Sequence, residues 1–188
     1  MDILIVGVGG QGTLLASRVL GCYAQLNHLT CKLSEVHGMS QRGGSVVTHV
    51  RMGDEIHAPV VSSGACDIVL AFEKLEALRF SYYLKTDGIL IVNDHEIMPM
   101  PVITGAEDYP ADIEKRLSEV TERLIVVPAA ELAEQAGSSK TLNVVMLGAA
   151  AAAVGLNYEQ MKKAVELCVP PAMLALNLAA FELGYKSI

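Results

Sequence analysis

Two short stretches carry most of the residues whose types and spacing could do chemistry. The first is Gly7-Val8-Gly9-Gly10-Gln11-Gly12, a G-x-G-x-x-G pattern with an extra glycine at position 10. In such a turn Gly7 permits the tight bend, Gly9 lets a ligand approach the backbone, and Gly12 lets a following helix lie close to its strand. The unpaired N–H groups of that helix would make a pocket for an anion. The second stretch is His37-Gly38-Met39-Ser40-Gln41-Arg42-Gly43-Gly44-Ser45. Arg42 offers a planar fork for carboxylate or phosphate, His37 an imidazole able to donate or accept, and Ser40 and Gln41 add neutral hydrogen-bonding groups. We read it as a binding loop rather than a turn whose polar groups satisfy one another. Glu35 precedes it, about twenty residues after the glycine turn, where a dinucleotide fold places an acid for a ribose hydroxyl. A salt bridge to Arg42 or a contact with a partner protein would explain Glu35 equally well.

The elements that must hold these stretches follow from hydrophobic patterning. Ile3–Val6 reads as a buried parallel strand and Thr13–Ala24 as a helix with Leu14, Leu15, Val19, Leu20 and Tyr23 on its apolar face. Leu29–Val36 reads as the next strand. Val46–Met52 and Glu55–Val61 read as an inserted β-hairpin turning at Gly53-Asp54, which would bring His49 and His57 near each other. Asp67–Phe72 and Ile89–Asn93 are further strands, separated by a helix over Glu73–Tyr83, with Leu75, Leu78 and Tyr82 on one face, and a turn at Thr86-Asp87-Gly88. His95–Pro110 reads as a loop with a short extended segment at Pro101–Thr104. A helix over Asp112–Arg123, a strand at Leu124–Val127, a short helix over Ala129–Gln135 and three closing helices (Thr141–Val154, Tyr158–Leu167, Ala172–Leu183) complete the chain.

The resulting fold class is α/β: Rossmann-like, three-layered, with a mostly parallel sheet, an inserted hairpin and C-terminal helices, as one domain over residues 1–188. Ligands in such sheets bind outside the carboxyl ends of the strands. The glycine turn, Glu35–Gly44, Ala71–Lys74 and Asn93–His95 all fall at that edge.

A net charge of −7 without a Lys/Arg cluster argues against nucleic-acid binding. The Ala-rich run Val144–Leu156 is too short to span a bilayer, so no membrane partner is expected. The four cysteines form no C-x-x-C pair, which points to a reduced, cytoplasmic protein with no metal or cluster site of its own. A hydrophobic content of 52% and a mean hydropathy of +0.38 suggest that an apolar face is covered by another subunit. A homodimer is the expectation for the isolated chain.

Three stretches together, Gly7–Gly12, Glu35-Val36-His37-Gly38-Met39-Ser40-Gln41-Arg42-Gly43-Gly44 and Ala71-Phe72-Glu73-Lys74-Leu75-Glu76-Ala77-Leu78-Arg79, resemble the gamma domain of 2-oxoacid:ferredoxin oxidoreductases. Within that family the chain is most similar to the beta subunits of indolepyruvate ferredoxin oxidoreductases, and the resemblance extends to Asn143-Val144-Val145-Met146-Leu147-Gly148. It implies a subunit of an enzyme that oxidatively decarboxylates an aryl 2-oxoacid to its coenzyme A thioester and passes the electrons to ferredoxin. Thiamine diphosphate, Mg2+ and 4Fe-4S clusters are then expected on a larger alpha subunit. This chain would complete the active site on the coenzyme A side, through Gly7, Gly9, Gly10, Gln11, Gly12, Glu35, Ser40, Gln41, Arg42, Gly43 and Gly44. Arg42 would be the anion contact and His37 a proton-transfer group. The alternatives are a stand-alone NAD(P)- or flavin-binding oxidoreductase and a partner protein that binds no small molecule.

Overall fold

The computed structural model describes residues 1–38 and 43–188. Ser40, Gln41 and Arg42 lie outside the described residues. The strands are β1 (Asp2–Val8), β2 (Thr30–His37), β3 (Ser45–Gly53), β4 (Cys66–Ala71), β5 (Leu84–Asn93) and β6 (Leu124–Val127). The helices are α1 (Thr13–Leu26), α2 (Lys74–Phe80), α3 (Met100–Ile103), α4 (Ile113–Ser118), α5 (Ala129–Gln135), α6 (Leu142–Val154), α7 (Tyr158–Cys168) and α8 (Leu174–Lys186).

The sheet runs β2-β3-β1-β4-β5-β6. Strands β1, β4, β5 and β6 pair in parallel, whereas β3 is antiparallel to both β1 and β2. Because β1 is apolar on both sides, alternate residues feed two cores. Ile3 and Ile5 pack with α1 and the C-terminal helices; Leu4 and Val6 pack with Leu75 of α2 and Leu117 of α4. This is the three-layer arrangement expected from the sequence. In the larger core α6 and α8 touch backbone to backbone: a Cβ on Gly148 would meet the Phe181 carbonyl oxygen, and one on Gly184 the Val145 carbonyl oxygen.

The hairpin expected between Val46–Met52 and Glu55–Val61 does not form. Strand β3 pairs with β2, His37 opposite Val46 and Thr30 opposite Gly53, while its other edge pairs with β1. Both edges are therefore taken, and Glu55–Val61 forms no strand. His49 and His57 are not a pair. His49 is buried, accepts a hydrogen bond from the Val61 N–H at 3.2 Å and sits edge-on to Tyr83, while exposed His57 lies by Glu55.

Smaller corrections have equally local causes. Thr86–Gly88 is not a free turn but part of β5, whose pairing with β4 shifts register between Cys66 and Ile68. Pro101 stands in the first turn of a short helix, where its missing N–H costs nothing, so Pro101–Thr104 is not extended. The helix expected over Asp112–Arg123 stops at Ser118. Tyr82 is exposed in a 3-10 turn after α2 rather than on an apolar face.

Candidate functional site

The glycine turn connects β1 to α1 at the carboxyl edge of the sheet. Its shape is fixed by the Gln11 carboxamide: Oε1 accepts from the Val8 N–H at 2.7 Å and Nε2 donates to the Phe72 carbonyl at 2.9 Å. Gly7 leaves room for that side chain, since a Cβ there would stand 2.8 Å from Gln11 Oε1 and 3.0 Å from Phe72 Cβ. Gln11, read from the sequence as a ligand contact, thus closes the turn onto the end of β4. Gly12 is left-handed (φ +84°) and a Cβ would meet Asn143 Nδ2 at 2.5 Å. The close packing it permits is against the start of α6, where Asn143 Nδ2 donates to the Gly12 carbonyl at 3.2 Å. At the start of α1 no side chain caps the backbone, and no acidic residue occupies the first turn. The first N–H groups of the helix therefore carry their partial positive charge unopposed.

Gly43 and Gly44 clasp this turn. The Gly9 N–H donates to the Gly44 carbonyl at 2.9 Å, and the Gly43 N–H to the Gly9 carbonyl at 3.4 Å. One residue later Ser45 Oγ donates to Glu76 Oε2 at 2.5 Å, and Arg79 Nη1 donates to Oε1 of the same buried carboxylate at 2.7 Å. The far end of the segment containing Ser40, Gln41 and Arg42 is therefore pinned to both the glycine turn and α2.

A cavity of about 300 Å³ opens between these parts, lined by Gly9, Gly10, Gly12, Thr13, Leu14, Glu35, His37 and Val46. Five residues singled out from the sequence, Gly9, Gly10, Gly12, Glu35 and His37, thus share one cavity. Leu14, assigned to the core face of α1, is instead half-exposed and gives the cavity an apolar wall. His37 is exposed, its Nδ1 lies 2.9 Å from the Gly38 carbonyl, and it also lines a second cavity of about 460 Å³ with Val47, His49, Phe80 and Tyr83. Glu35 stands one strand further from β1 than in a dinucleotide fold, because β3 is interposed at about 4.8 Å per strand. The strand order next to β1 thus departs from that of a dinucleotide fold, although Glu35 still lines the cavity at the glycine turn.

Charged groups that the sequence reading passed over form the floor of this edge. Glu73 is buried; its Oε2 accepts the Glu76 N–H at 2.8 Å, and Oε1 accepts the Ile97 N–H at 3.1 Å and the Tyr109 hydroxyl at 2.8 Å. Burial and the neighbouring Glu73 carboxylate hold the Tyr109 phenol protonated well above its ordinary range. Lys74 reaches Asp94 and Glu114, both at 2.7 Å, and these bonds raise its pKa. The two side chains staple the connection that follows β5. Their signal was present in the Phe72-Glu73-Lys74-Leu75-Glu76 run: charges that close to an apolar strand need partners when buried. Asn143 was likewise inside a quoted stretch, with its role hidden because its partner lies 131 residues away. Asn93, fully buried at the end of β5, donates to the Phe72 carbonyl, and its Oδ1 has no partner among the described residues.

The family model for pyruvate ferredoxin/flavodoxin oxidoreductases matches residues 2–187. The chain belongs to this family. It is 40% identical to indolepyruvate oxidoreductase subunit IorB of Thermococcus kodakarensis, over 99% of this chain and 95% of the relative. The gamma subunit of a keto/oxoacid ferredoxin oxidoreductase from Geobacter sulfurreducens has a similar structure, with a TM-score of 0.74 at 26% identity over 98% of this chain and 96% of that one. The same fold recurs, at a TM-score of 0.71 and 18% identity, in 2-oxoglutarate:ferredoxin oxidoreductase from Magnetococcus marinus, solved with 2-oxoglutarate, coenzyme A and succinyl-CoA bound. That match covers all of this chain and 31% of the larger one. The chain is thus a small subunit of a multi-subunit 2-oxoacid ferredoxin oxidoreductase.

Proposed function

We propose that this chain is the small subunit of an indolepyruvate:ferredoxin oxidoreductase, acting in the cytoplasm with a larger alpha subunit that carries thiamine diphosphate, Mg2+ and the 4Fe-4S clusters. The observation that carries the reading is similarity along the whole chain to an IorB subunit, together with a glycine turn built into a cavity at the sheet's carboxyl edge. Thiamine diphosphate on the partner would supply the carbanion chemistry of decarboxylation, and this chain would supply positioning and electrostatics. Among the described residues no group of three His, Cys, Asp or Glu side chains stands ready to hold a metal.

The edge formed by Gly9–Gly12 and His37–Gly44 faces the partner's active site in this account. The uncapped start of α1 and Arg42 receive an anionic group of coenzyme A or of the 2-oxoacid. Ser40 and Gln41 add hydrogen bonds, His37 moves a proton, and Leu14 contacts an apolar part of the ligand. At about 300 Å³ the cavity admits part of coenzyme A rather than all of it. Glu35, a carboxylate in the same wall, favours hydroxyl or amine groups on its side and keeps phosphates toward α1.

The test is Arg42→Ala in the assembled two-chain enzyme. We expect the complex to assemble and turnover to fall at least tenfold, equivalent to about 1.4 kcal/mol of transition-state stabilisation or more. Unchanged turnover with intact assembly would favour a partner that binds no small molecule.

A further inference from the structure

Cys22 and Cys168 are 146 positions apart in sequence, and the fold brings them together. Cys22 lies on α1 and Cys168 is the last residue of α7; the two helices pack against each other, and the thiols are within hydrogen-bonding reach. Both side chains are partly exposed and rest on the rim of the larger core. The other two cysteines differ. Cys66 is fully buried, its thiol pushed up to about 12 by burial, and Cys31 sits on the edge strand β2. Neither cysteine lines the cavity at the glycine turn.

We propose that Cys22 and Cys168 are a redox-active dithiol that small-molecule disulfides convert into an intramolecular disulfide joining α1 to α7. The sulfur of Cys22 attacks one sulfur of the small disulfide, forming a mixed disulfide and releasing one small thiol. Cys168 then attacks the Cys22 sulfur, forming the protein disulfide and releasing the second small thiol. Two protein thiols become one disulfide, and the two electrons and two protons end on the two small thiols. The order follows from the environment. Burial and the adjacent Cys22 thiol push the Cys168 thiol up to about 11, which disfavours it as the first nucleophile and suits it to the resolving step. Closing so long a loop constrains the unfolded chain strongly. The oxidised form fastens the helix whose first turn borders the candidate site.

Incubation of the full reduced chain with oxidised glutathione, followed by peptide mapping by mass spectrometry, tests this. The expected product is a peptide pair joined through Cys22 and Cys168, separable with dithiothreitol. The oxidised chain should melt about 10 °C higher than the reduced one. In Cys168→Ser the reaction should stop at glutathione bound to Cys22. Glutathione on the two cysteines separately, a joined peptide through Cys31, or Cys22 and Cys168 that both stay reduced would each overturn the proposal. The first comparison uses the unaltered chain, so no folding defect can mimic the result.

Discussion

Gly12 is held by two constraints at once, a left-handed backbone and an Asn143 side chain where a Cβ would sit. Replacing it with alanine should cost roughly 1–3 kcal/mol, from the backbone penalty and the displacement of Asn143. In a chain of this size that lowers the melting temperature by several degrees, a shift that thermal unfolding by circular dichroism would register. Gly10→Ala is a contrast, since φ is +108° but no atom lies within 4 Å of the added Cβ. It should cost less. His49 makes a second prediction at this scale. Burial lowers its pKa below the ordinary 6.5, so the unfolded chain binds the proton more readily than the native one. The stability that neutral His49 contributes is complete above pH 6.5 and declines as pH falls toward its lowered folded pKa. The loss of melting temperature between pH 7 and pH 5 should accordingly be smaller in His49→Asn; an equal loss would assign the acid sensitivity elsewhere. Glycine spacing and the histidine were plain in the sequence. Which atoms press on Gly12, and which N–H faces His49, depended on contacts from α6 and from residue 61 that no local pattern reveals.

At the level of elements, the buried carboxylate of Glu73 joins three things: the N-terminus of α2, the Ile97 backbone and the Tyr109 hydroxyl. Glu73→Ala removes the helix cap and leaves two partly buried donors without an acceptor. A loss of about 3 kcal/mol follows from those terms, measurable by urea unfolding. Tyr109→Phe removes one donor only and should cost about 1 kcal/mol. Equal costs would mean that Glu73 acts through Tyr109 alone; no cost for Tyr109→Phe would leave the α2 cap and Ile97 as its role. Strands β1, β4, β5 and β6 and the helices α1 and α5–α8 were legible because runs such as Ile89-Leu90-Ile91-Val92 are apolar throughout and because helical spacing marks the rest; Asn157 caps α7 by accepting the Gln160 N–H. The partner of β3 was not legible. Its alternation suits any neighbour, and the turn signal at Gly53-Asp54 pointed to Glu55–Val61, although β1 and β2 already occupy both its edges. Local turn chemistry identified a bend; global pairing decided what the bend connects.

The whole molecule has the outline of a chain built to be covered. Leu33 and Val36 on the edge strand β2, Tyr82 after α2, and Met98, Met100 and Ile103 beyond β5 are all exposed apolar side chains. Among the described residues no helix is long and apolar enough to cross a membrane, so these residues are not a span. The isolated chain should associate with itself at micromolar concentration, and light scattering reporting a monomer there would contradict this. The resemblance read from three motifs agrees with the match over residues 2–187 because those motifs sit where the fold needs them, at one edge of one sheet. What the sequence could not convey was the burial of Glu73 and Glu76, which emerges only when α2 packs.

The central claim is that catalysis belongs to a complex of this chain with a larger subunit. Its most direct test is the reduction of an electron-accepting dye by the two chains expressed singly and together, with indolepyruvate and coenzyme A supplied. Neither chain alone should turn over, whereas the pair should do so only with both the oxoacid and coenzyme A, preferring aryl over short aliphatic oxoacids. Full activity from the larger chain alone would contradict it.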